Sequence, residues 1–433
     1  MTVRKLALDA YTRVMDEGGY SNIILNDMIG REGLPANDRG LLTEIVYGTI
    51  SRRLTIHFHI RPFIRTKLKR WQRNLLDITV YQIIWLERVP NYAAINEAVD
   101  IAKKRGGPQA ANAINAILRS FERKPLQSYG DIRSSTARLS IEASIPEWII
   151  SHWKTHHGMD GAREIAMALG SRPKMYIRTN TARISRAALV EKLHEEGLGA
   201  MPSEIQADAI EVGGEVLQSK FYKEGLFSIQ DVSSMLVNDA LAPEDGDVIL
   251  DACSAPGGKG LHALEKVRDG HVDLSDIHDH KLPLIEAQAE RLGLANYEAF
   301  QGDATQKDYP RQYDRIIVDA PCSGLGVIRR KPEIRYERKA EDIDSLVALQ
   351  LAILSNIKNY LKPGGILVYS TCTIHQMENE NVAYTFMKEN EDIEFDPFTL
   401  KAFDFEGPYR QILPQEAGTD GFFIARFRKK EKQ

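Results

Sequence analysis

The sequence contains 433 residues, of which 43% are hydrophobic and 27% are charged. This length is typical of about three folding units, and the composition excludes a disordered, collagen-like or small disulfide-rich protein. With 56 basic and 60 acidic residues, the net charge is −4, so any contact with nucleic acid has to use a local basic surface.

Three cysteines occur without paired spacing, which favours a reducing compartment over a disulfide framework or a zinc site. The first residues carry scattered charges and lack an apolar core, so no signal peptide is predicted. The most apolar long stretch, Asn74 to Leu86, contains Asp77 and is shorter than the roughly 20 residues that span a bilayer. The sequence therefore predicts a cytoplasmic protein without membrane segment or metal, and we expect a monomer.

Apolar residues recur at helical spacing from Val3 to about Phe121, which predicts an all-helical amino-terminal domain over residues 1–128. The signals that end its helices are Gly18-Gly19, Pro90 and Gly106-Gly107. Such signals are typical of a bundle with short loops. A further helix after Pro35 is expected to take Asp38 as its N-cap.

The segment from Arg52 to Arg73 carries eight basic residues and no acidic one. A solvated helix face and a surface that contacts RNA or a partner are equally open interpretations. The residues expected to bind RNA here are Arg61, Arg65, Lys67 and Lys69.

A polar run from Lys124 to Ser140 lacks apolar periodicity and is interpreted as a linker. The predicted elements beyond it are a helix that begins at Pro146-Glu147-Trp148, a strand from Met175 to Asn180 and a helix from Arg186 to His194. These elements predict a small α/β middle domain over residues 140–240.

From Asp247 onward, short β-branched strands alternate with helices, a pattern typical of a parallel sheet with crossover helices. The predicted strands are Val248–Asp251, His271–Asp276, Tyr297–Asp303, Arg315–Asp319 and Gly365–Ser370. Four of the five end on an aspartate, and ligands bind at the carboxyl ends of such strands. Residues 241–433 are therefore predicted to form an α/β domain, with Phe422 to Phe427 as an antiparallel edge strand.

The first of these strands runs into a glycine-rich turn that ends at Lys259 and matches neither the dinucleotide fingerprint nor the nucleoside-triphosphate loop. Asp276 lies where a carboxylate accepts hydrogen bonds from ribose hydroxyls. A nucleoside without pyrophosphate fits this pattern, and we predict S-adenosylmethionine, although a turn that serves only helix packing is the alternative. The residues predicted to bind the cofactor are Cys253, Ser254, Ala255, Pro256, Gly257, Gly258, Lys259, Asp276, Asp303 and Asp319.

All three cysteines lie in this last domain. Cys322 and Cys372 each follow the carboxyl end of a predicted strand, so both are expected to point into one cleft. Cys253, within the turn, is interpreted as a small buried hydrophobe, which is the usual role of a lone cysteine.

Three segments, DACSAPGGK, DAPCSGLGVIRRKPEIRY and STCTIHQMENE, resemble the cofactor, Pro-Cys and Thr-Cys motifs of the Sun-type RNA cytosine-5 methyltransferases. The resemblance implies a Rossmann-like class I methyltransferase domain. It covers nearly the whole chain, because the bacterial 16S ribosomal RNA branch also has a helical domain similar to the antitermination factor NusB. Two positions depart from the family pattern: Gly260 replaces the usual Thr, and Gln376-Met377 replaces the usual Pro or Glu. We expect altered contacts at the helix start and retained activity.

The resemblance implies that Cys372 is the catalytic nucleophile and that Cys322 assists product release. Carbon 5 of cytosine is too electron-poor to take a methyl group directly, so a thiolate must first add to carbon 6. Lys259 and the loop from Arg329 to Lys331 are candidates to favour the thiolate. Asp319, if it is protonated in a dry pocket, is expected to donate to N3 of the base or to contact its edge.

By the same resemblance, the substrate is a cytosine of 16S ribosomal RNA, of the cytosine 967 type. The target has to be unpaired or flipped out of a helix. Arg329, Arg330, Lys331 and Arg335 are expected to hold phosphates around it, together with the helical domain and the middle domain. Two alternatives stay open: a transfer RNA cytosine-5 methyltransferase, and a non-catalytic NusB-like RNA-binding or antitermination factor.

Overall fold

The computed structural model describes residues 2–214 and 216–431, which belong to two compact units. The first unit runs to Ser171 and also contains Ile328–Ala340. The second unit comprises Arg172–Val327 and the chain from Glu341 onward. No helix among the described residues combines the length and the apolarity that a bilayer crossing needs.

The first unit is a bundle of helices, as predicted for the amino-terminal domain. The helices are α1 (Val3–Glu17), α2 (Ser21–Glu32), α3 (Ala36–Ser51), α4 (Arg53–Ile60), α5 (Arg70–Trp85), α6 (Asn91–Glu122, interrupted by a kink at Gly107), α7 (Ser135–Ala143) and α8 (Glu147–Gly170, interrupted by a kink at Gly158). The apolar stripes of these amphipathic helices meet in one core, in which Leu6, Ile45, Val80 and Ile114 are buried. Residues 140–171, which the sequence assigns to the middle domain, belong to this unit.

Local signals set most of the helix ends in this unit. Gly18 ends α1 with a φ of 74°, as its stop signal predicts. The predicted N-cap of α3 is wrong: Pro35 is the N-cap, and Asp38 lies in the first turn, where a negative charge favours the helix. The linker after Lys124 is also shorter than predicted, because the Ser134 side chain accepts a hydrogen bond from the Ala137 N–H and starts α7.

The second unit begins with a small α/β part. Its elements are β1 (Met175–Thr179), α9 (Arg186–Glu195), β2 (Ala200–Pro202), β3 (Ala209–Val212), α10 (Lys220–Lys223), β4 (Phe227–Ile229) and α11 (Val232–Leu241). Residues of these strands form an antiparallel sheet in the order β2-β3-β1-β4. The predicted strand at Met175 and the predicted helix at Arg186 are confirmed.

A larger mixed sheet with helices follows. The elements are β5 (Val248–Asp251), α12 (Gly258–Leu264), β6 (His271–Asp276), α13 (Leu282–Leu292), β7 (Tyr297–Gln301), β8 (Tyr313–Asp319), α14 (Ile334–Glu337), α15 (Asp342–Ile357), β9 (Leu361–Thr371), α16 (Glu380–Glu389), β10 (Ile393–Phe395), β11 (Phe398–Leu400), β12 (Phe405–Gly407), β13 (Tyr409–Ile412), α17 (Pro414–Ala417) and β14 (Phe422–Lys429). The strand order is β10-β14-β9-β8-β5-β6-β7, and the pairs from β9 to β7 are parallel. α14 belongs to the first unit.

Two strand predictions are wrong in detail. β7 ends at Gln301, so Asp303 lies beyond the strand and not at its last position. β14 is not an edge strand, because β10 and β13 both pair with it on the side away from β9. Phe423, Ile424 and Ala425 are buried one after another along β14, as expected for a strand that is covered on both faces.

Candidate active site

The site lies where the strand order of the sheet reverses. β6 and β7 extend the sheet on one side of β5, and β8 and β9 extend it on the other. In an open α/β sheet, ligands bind at the carboxyl ends of the strands at such a point. The predicted cofactor turn follows β5 and Asp319 ends β8, so the topology brings these two predicted features to one crevice.

The turn after β5 is held by its own backbone and by the neighbouring strand. Ser254 N donates to Ser275 O at 2.8 Å, and Gly257 has a φ of 97°, which a glycine adopts without strain. Asp251 lies beneath the turn and accepts a hydrogen bond from Gly260 N at 2.9 Å. Burial, together with the nearby Asp319, raises the pKa of Asp251 to about 7.

Asp276 lies against this turn, and Asp303 follows the next strand. Asp276 is buried, and its carboxylate accepts hydrogen bonds from Ala255 N at 3.2 Å and from His278 N at 2.9 Å. Asp303 accepts from Thr305 N and Oγ1, and these hydrogen bonds hold its pKa below the usual range. A nucleoside with an amino-acid tail needs a carboxylate to accept hydrogen bonds from its ribose hydroxyls and backbone groups to bind its tail. Asp276 and the turn beside it provide both.

The two predicted catalytic thiols are neighbours. Cys322 Sγ and Cys372 Sγ lie 3.5 Å apart, although 50 residues separate them in the chain. The hydrogen bond to Cys372 and burial together raise the pKa of Cys322 well above its ordinary value. Cys322 therefore favours its protonated form, and the two sulfurs are close enough to share a hydrogen bond in which either one can donate.

Lys259 brings positive charge to these thiols. Its Nζ lies 2.6 Å from Asp319 Oδ2. Burial lowers the pKa of Lys259, but Asp319, Asp251 and Cys372 raise it by more, so the net pKa is raised and the ammonium is retained. The other predicted source of charge, Arg329 to Lys331, belongs to the first unit.

Both carboxylate oxygens of Asp319 accept hydrogen bonds. Lys259 Nζ donates to one oxygen, and Ser370 Oγ donates to the other at 2.8 Å. The Asp319 side chain is 31% exposed and holds Lys259 in place. Its expected contact with N3 or the edge of a bound base stays a prediction.

A buried glutamate links the loops that carry the two thiols. Glu378 is fully buried and accepts hydrogen bonds from Ser323 N at 2.7 Å and from Ser323 Oγ. Ser323 Oγ is 2.8 Å from Thr373 Oγ1. Because Ser323 follows Cys322 and Thr373 follows Cys372, this network fixes both cysteine loops relative to each other.

The Glu378→Ala variant should turn over roughly 10- to 100-fold more slowly, because a small misplacement of reacting groups is enough for such a loss. It should also lose about 1–3 kcal/mol of stability, since the buried donors of Ser323 lose their partner. Single-turnover kinetics and thermal unfolding measure the two effects. The Glu378→Gln variant keeps one acceptor oxygen and should lose less. An unchanged single-turnover rate in Glu378→Ala would contradict the positioning role.

Gly260, which departs from the family pattern, fills a closely packed position. A Cβ there would lie 2.3 Å from Leu274 Cδ2 and 2.9 Å from Asp251 Oδ2. The site therefore has no room for the Thr that the family usually has here. Instead of a Thr side chain at the start of α12, the helix backbone packs directly on β6.

The Gly260→Thr variant should lose about 1–3 kcal/mol of stability, which is the usual cost of overpacking a filled core. The matched control is Gly258→Ala in the same helix, where the nearest atoms to an added Cβ, those of Gln230, are 4.0 Å away. Thermal unfolding of both variants checks the prediction. Equal Tm values would mean that Leu274 moves aside without cost.

The predicted RNA-binding residues all belong to the first unit. Arg61, Arg65, Lys67 and Lys69 are exposed. In the second group Lys331 is exposed, whereas Arg329 is buried, with 8% of its surface exposed.

The prediction that Arg335 holds a phosphate is wrong. Its side chain is 1% exposed and donates to the carbonyl oxygens of Ile328, Ser51 and Ser144. Nearby, Glu333 accepts hydrogen bonds from Ser21 N and Oγ. These contacts tie Ile328–Ala340 to the helices of the first unit.

Sequence reasoning missed several residues around the site. Ser323, Ser370 and Glu378 lie within the quoted motifs, but their role depends on contacts across the fold. Arg178, in β1, gave no signal at all, although it donates to Gly258 O at 2.7 Å and so braces the cofactor turn.

One group of potential metal ligands lies at the opposite ends of the strands. The ligand atoms of His271, Asp273 and Glu298 are within 4.8 Å of one another. Arg311 already pairs with Asp273 at 2.8 Å and with Glu298 at 2.7 Å. The guanidinium thus supplies the positive charge that these carboxylates need.

Family models match three parts of the chain. The NusB family matches residues 1–123, the ferredoxin-like domain of RsmF/B-like methyltransferases matches residues 145–217, and 16S rRNA methyltransferase RsmB/F matches residues 238–428. These matches agree with the helical, small α/β and methyltransferase architecture described above.

Relatives align over nearly the whole chain. The chain is 40% identical to the probable ribosomal RNA small subunit methyltransferase B of Bacillus subtilis (strain 168), over 99% of both chains. It is 33% identical to ribosomal RNA small subunit methyltransferase B of Vibrio cholerae serotype O1, over 98% of this chain and 97% of that protein. The crystal structure of PH0851 shares the fold, with a TM-score of 0.84 at 22% identity over 100% of this chain and 99% of the other. The resemblance drawn from the motifs is confirmed, and the chain belongs to the 16S rRNA methyltransferase RsmB/F family.

Proposed function

We propose that this methyltransferase transfers a methyl group from S-adenosylmethionine to carbon 5 of a cytosine in 16S rRNA, through a covalent adduct between Cys372 and carbon 6. The observation that carries the proposal is the pair of thiols 3.5 Å apart, beside Lys259 and the cofactor turn. A methyltransferase that acted on a nitrogen or an oxygen atom would have no need of a nucleophilic thiol.

The residues around the crevice fit S-adenosylmethionine. The turn from Cys253 to Lys259 would hold the amino-acid part, Asp276 the ribose hydroxyls, and the surroundings of Asp303 the adenine. When bound, the cofactor supplies an electrophilic methyl group. Asp319 orients Lys259, and the Lys259 ammonium stabilises negative charge on the Cys372 sulfur.

The two thiols are assigned different roles. Cys372 adds to carbon 6 as a thiolate and so raises the electron density at carbon 5. The hydrogen bond to Cys372 is the largest cause of the raised pKa of Cys322. Once Cys372 is bonded to the base, that cause disappears and Cys322 ionises more easily. Cys322 gives its own proton to solvent, and the thiolate that results takes the carbon-5 proton, directly or through water. The electrons of the carbon–hydrogen bond restore the ring double bond, and Cys372 leaves carbon 6 as a thiolate.

The helical unit would hold RNA phosphates around the target, whereas Arg329 is too buried to take part. The residues that would make these contacts are Arg61, Arg65, Lys67, Lys69, Arg330 and Lys331. Such contacts fix register without reading sequence. By family resemblance, the target is of the cytosine 967 type. We further propose a monomer in the cytoplasm, with a helical domain at residues 1–128, a middle domain that begins after Ser171 and not at residue 140, and a methyltransferase domain from residue 241 onward.

The test is bisulfite sequencing of total RNA from cells that lack the protein, together with methylation of 16S rRNA transcripts by the purified enzyme. One 16S cytosine should lose its protection in the cells and gain it in the reaction. Loss of protection at a transfer RNA cytosine would identify the substrate as transfer RNA. Unchanged protection in every RNA would favour a non-catalytic RNA-binding factor.

A further inference from the structure

A pocket of about 320 Å³ lies in the first unit, between α4, the turn after it and α5. Its lining residues are His57, Ile60, Arg61, Ile64, Arg73, Leu76 and Asp77. Of these, Arg61 is among the individually predicted RNA-binding residues, and Arg73 is the last residue of the basic segment from Arg52 to Arg73. The volume lies at the lower end of the range for small-molecule sites, about 300–1,000 Å³, and is close to that of one nucleotide.

The pocket has an apolar floor and a polar wall. Ile64 is half-buried and offers the apolar surface that a flat ring can cover, while Ile60 and Leu76 are buried and back it from the core. On the other side, His57 Nε2 lies 3.0 Å from Asp77 Oδ2, and 43% of the His57 side chain is exposed. Asp77 also accepts a hydrogen bond from Tyr11 OH at 3.0 Å. These bonds hold the imidazole at the pocket wall.

The charge at the rim of the pocket is positive. Arg61 and Arg73 are exposed and line the pocket, and neither forms an ion pair with another residue that the structure describes. Arg70, on the same helix as Arg73, is instead paired with Asp16 at 2.6 Å. The acidic residue of the pocket, Asp77, is only 5% exposed at its side chain. A ligand at the rim therefore meets two available guanidinium groups.

We propose that this pocket binds one nucleotide of single-stranded RNA, with its phosphate on Arg61 and Arg73 and its base over the apolar floor. Two neighbouring guanidinium groups favour a phosphate. An unpaired base has a flat face that can pack on the apolar floor of the pocket. An acidic peptide would satisfy the arginines but leave Ile64 uncovered. The inference rests on the proposed function, since it assigns one contact of the RNA substrate to the helical unit.

The experiment measures the anisotropy of a labelled single-stranded RNA of mixed sequence with the full chain at several salt concentrations. The Arg61→Ala/Arg73→Ala variant should bind about tenfold or more weakly. The slope of log affinity against log salt should fall by about 0.7 for each lost phosphate contact. Ile64→Asn removes apolar floor without changing the charge and should weaken binding roughly fivefold, as expected for a lost base contact. Arg88→Ala, at an exposed arginine of the same unit, should bind as the wild type does.

A photocrosslinking arm uses the unaltered protein and is independent of any folding defect. RNA that carries 4-thiouridine should crosslink within residues 57–77. Crosslinks confined to other residues would overturn the inference. Equal RNA affinities of the Arg61→Ala/Arg73→Ala and Arg88→Ala variants would also overturn it. The same holds if inorganic polyphosphate or a polyglutamate peptide competes as well as unlabelled RNA does.

The two proposals fail separately. If the wild type binds RNA through this pocket but forms no adduct at Cys372, the proposed reaction is wrong and the pocket stands. If the adduct forms and the pocket variants bind RNA normally, the reaction stands and the pocket does not.

Discussion

The Cys372→Ala variant should lose methyl transfer by about 10⁴-fold or more, because no thiolate remains to add to carbon 6. The Cys322→Ala variant should still add to the cytosine but release it slowly, so a covalent RNA–protein adduct should accumulate. RNA that contains 5-fluorocytidine at the target should trap the wild type in the same way. Mass spectrometry of the denatured complexes locates the attached residue.

The third cysteine provides a matched control for these variants. Burial raises the pKa of Cys253 well above its ordinary value, and nearby carboxylates add to the effect, so this thiol is a poor nucleophile. The Cys253→Ala variant should still form the adduct at Cys372. An adduct mapped to Cys322 would reverse the roles of the two thiols, and methyl transfer at the wild-type rate by Cys372→Ala would end the covalent mechanism.

The Arg178→Met variant should lose about 3–5 kcal/mol of stability, because it leaves Glu265 buried without its partner. Arg178 and Glu265 are 1% and 0% exposed at their side chains, and two hydrogen bonds of 2.7 and 3.0 Å join them. For a unit of this size, the loss corresponds to a fall in Tm of roughly 10 °C. Cofactor affinity should fall too, since Arg178 also donates to Gly258 O in the cofactor turn.

The loss in Arg178→Met should depend on pH. Burial already raises the pKa of Glu265 in the folded protein, and Arg178 opposes that shift. Without Arg178 the folded pKa rises further, so the folded state prefers protonated Glu265 more strongly than the unfolded state does. The variant should therefore be most stable below the ordinary pKa of glutamate and lose stability as pH rises through the folded pKa.

The double variant Arg178→Met/Glu265→Leu separates the loss of stability from the loss of cofactor affinity. Replacing both charges leaves no unpaired ion, so most of the lost stability should return and the pH dependence should vanish. The contact with Gly258 O stays absent, so cofactor affinity should remain low. Thermal unfolding across pH and calorimetric binding of S-adenosylmethionine check the two outcomes. Full recovery of affinity in the double variant would show that Arg178 does not position the turn.

Much of the site follows from local sequence. The glycine-rich turn lies directly after a β-branched strand, and the two thiols follow the ends of two further strands. Because parallel strands end at one edge of a sheet, these positions alone predict that Cys322 and Cys372 share a cleft. Helical periodicity likewise predicts the amino-terminal bundle, since a repeated apolar stripe has to be buried against other helices.

The same local patterns failed where burial or pairing depends on distant residues. The run from Phe422 to Phe427 looks like an edge strand, but β10 and β13 pair with β14. The basic residues Arg329 and Arg335 look like phosphate contacts, but both are buried. The charge and the hydrophobic alternation of a segment can be read from the segment alone. Its solvent exposure depends on the elements that pack around it.

Short-range periodicity and motifs within single segments are enough to predict the helical and α/β architecture, the glycine-rich turn and the closeness of Cys322 and Cys372. The contact of Glu378 with both cysteine loops and the pairing of Arg178 with Glu265, 87 residues away, arise only when the chain is folded. A buried charge or donor is stable only with a partner at hydrogen-bonding distance. The packing of the strands and helices determines which residue is that partner, and the spacing of residues along the chain does not predict it.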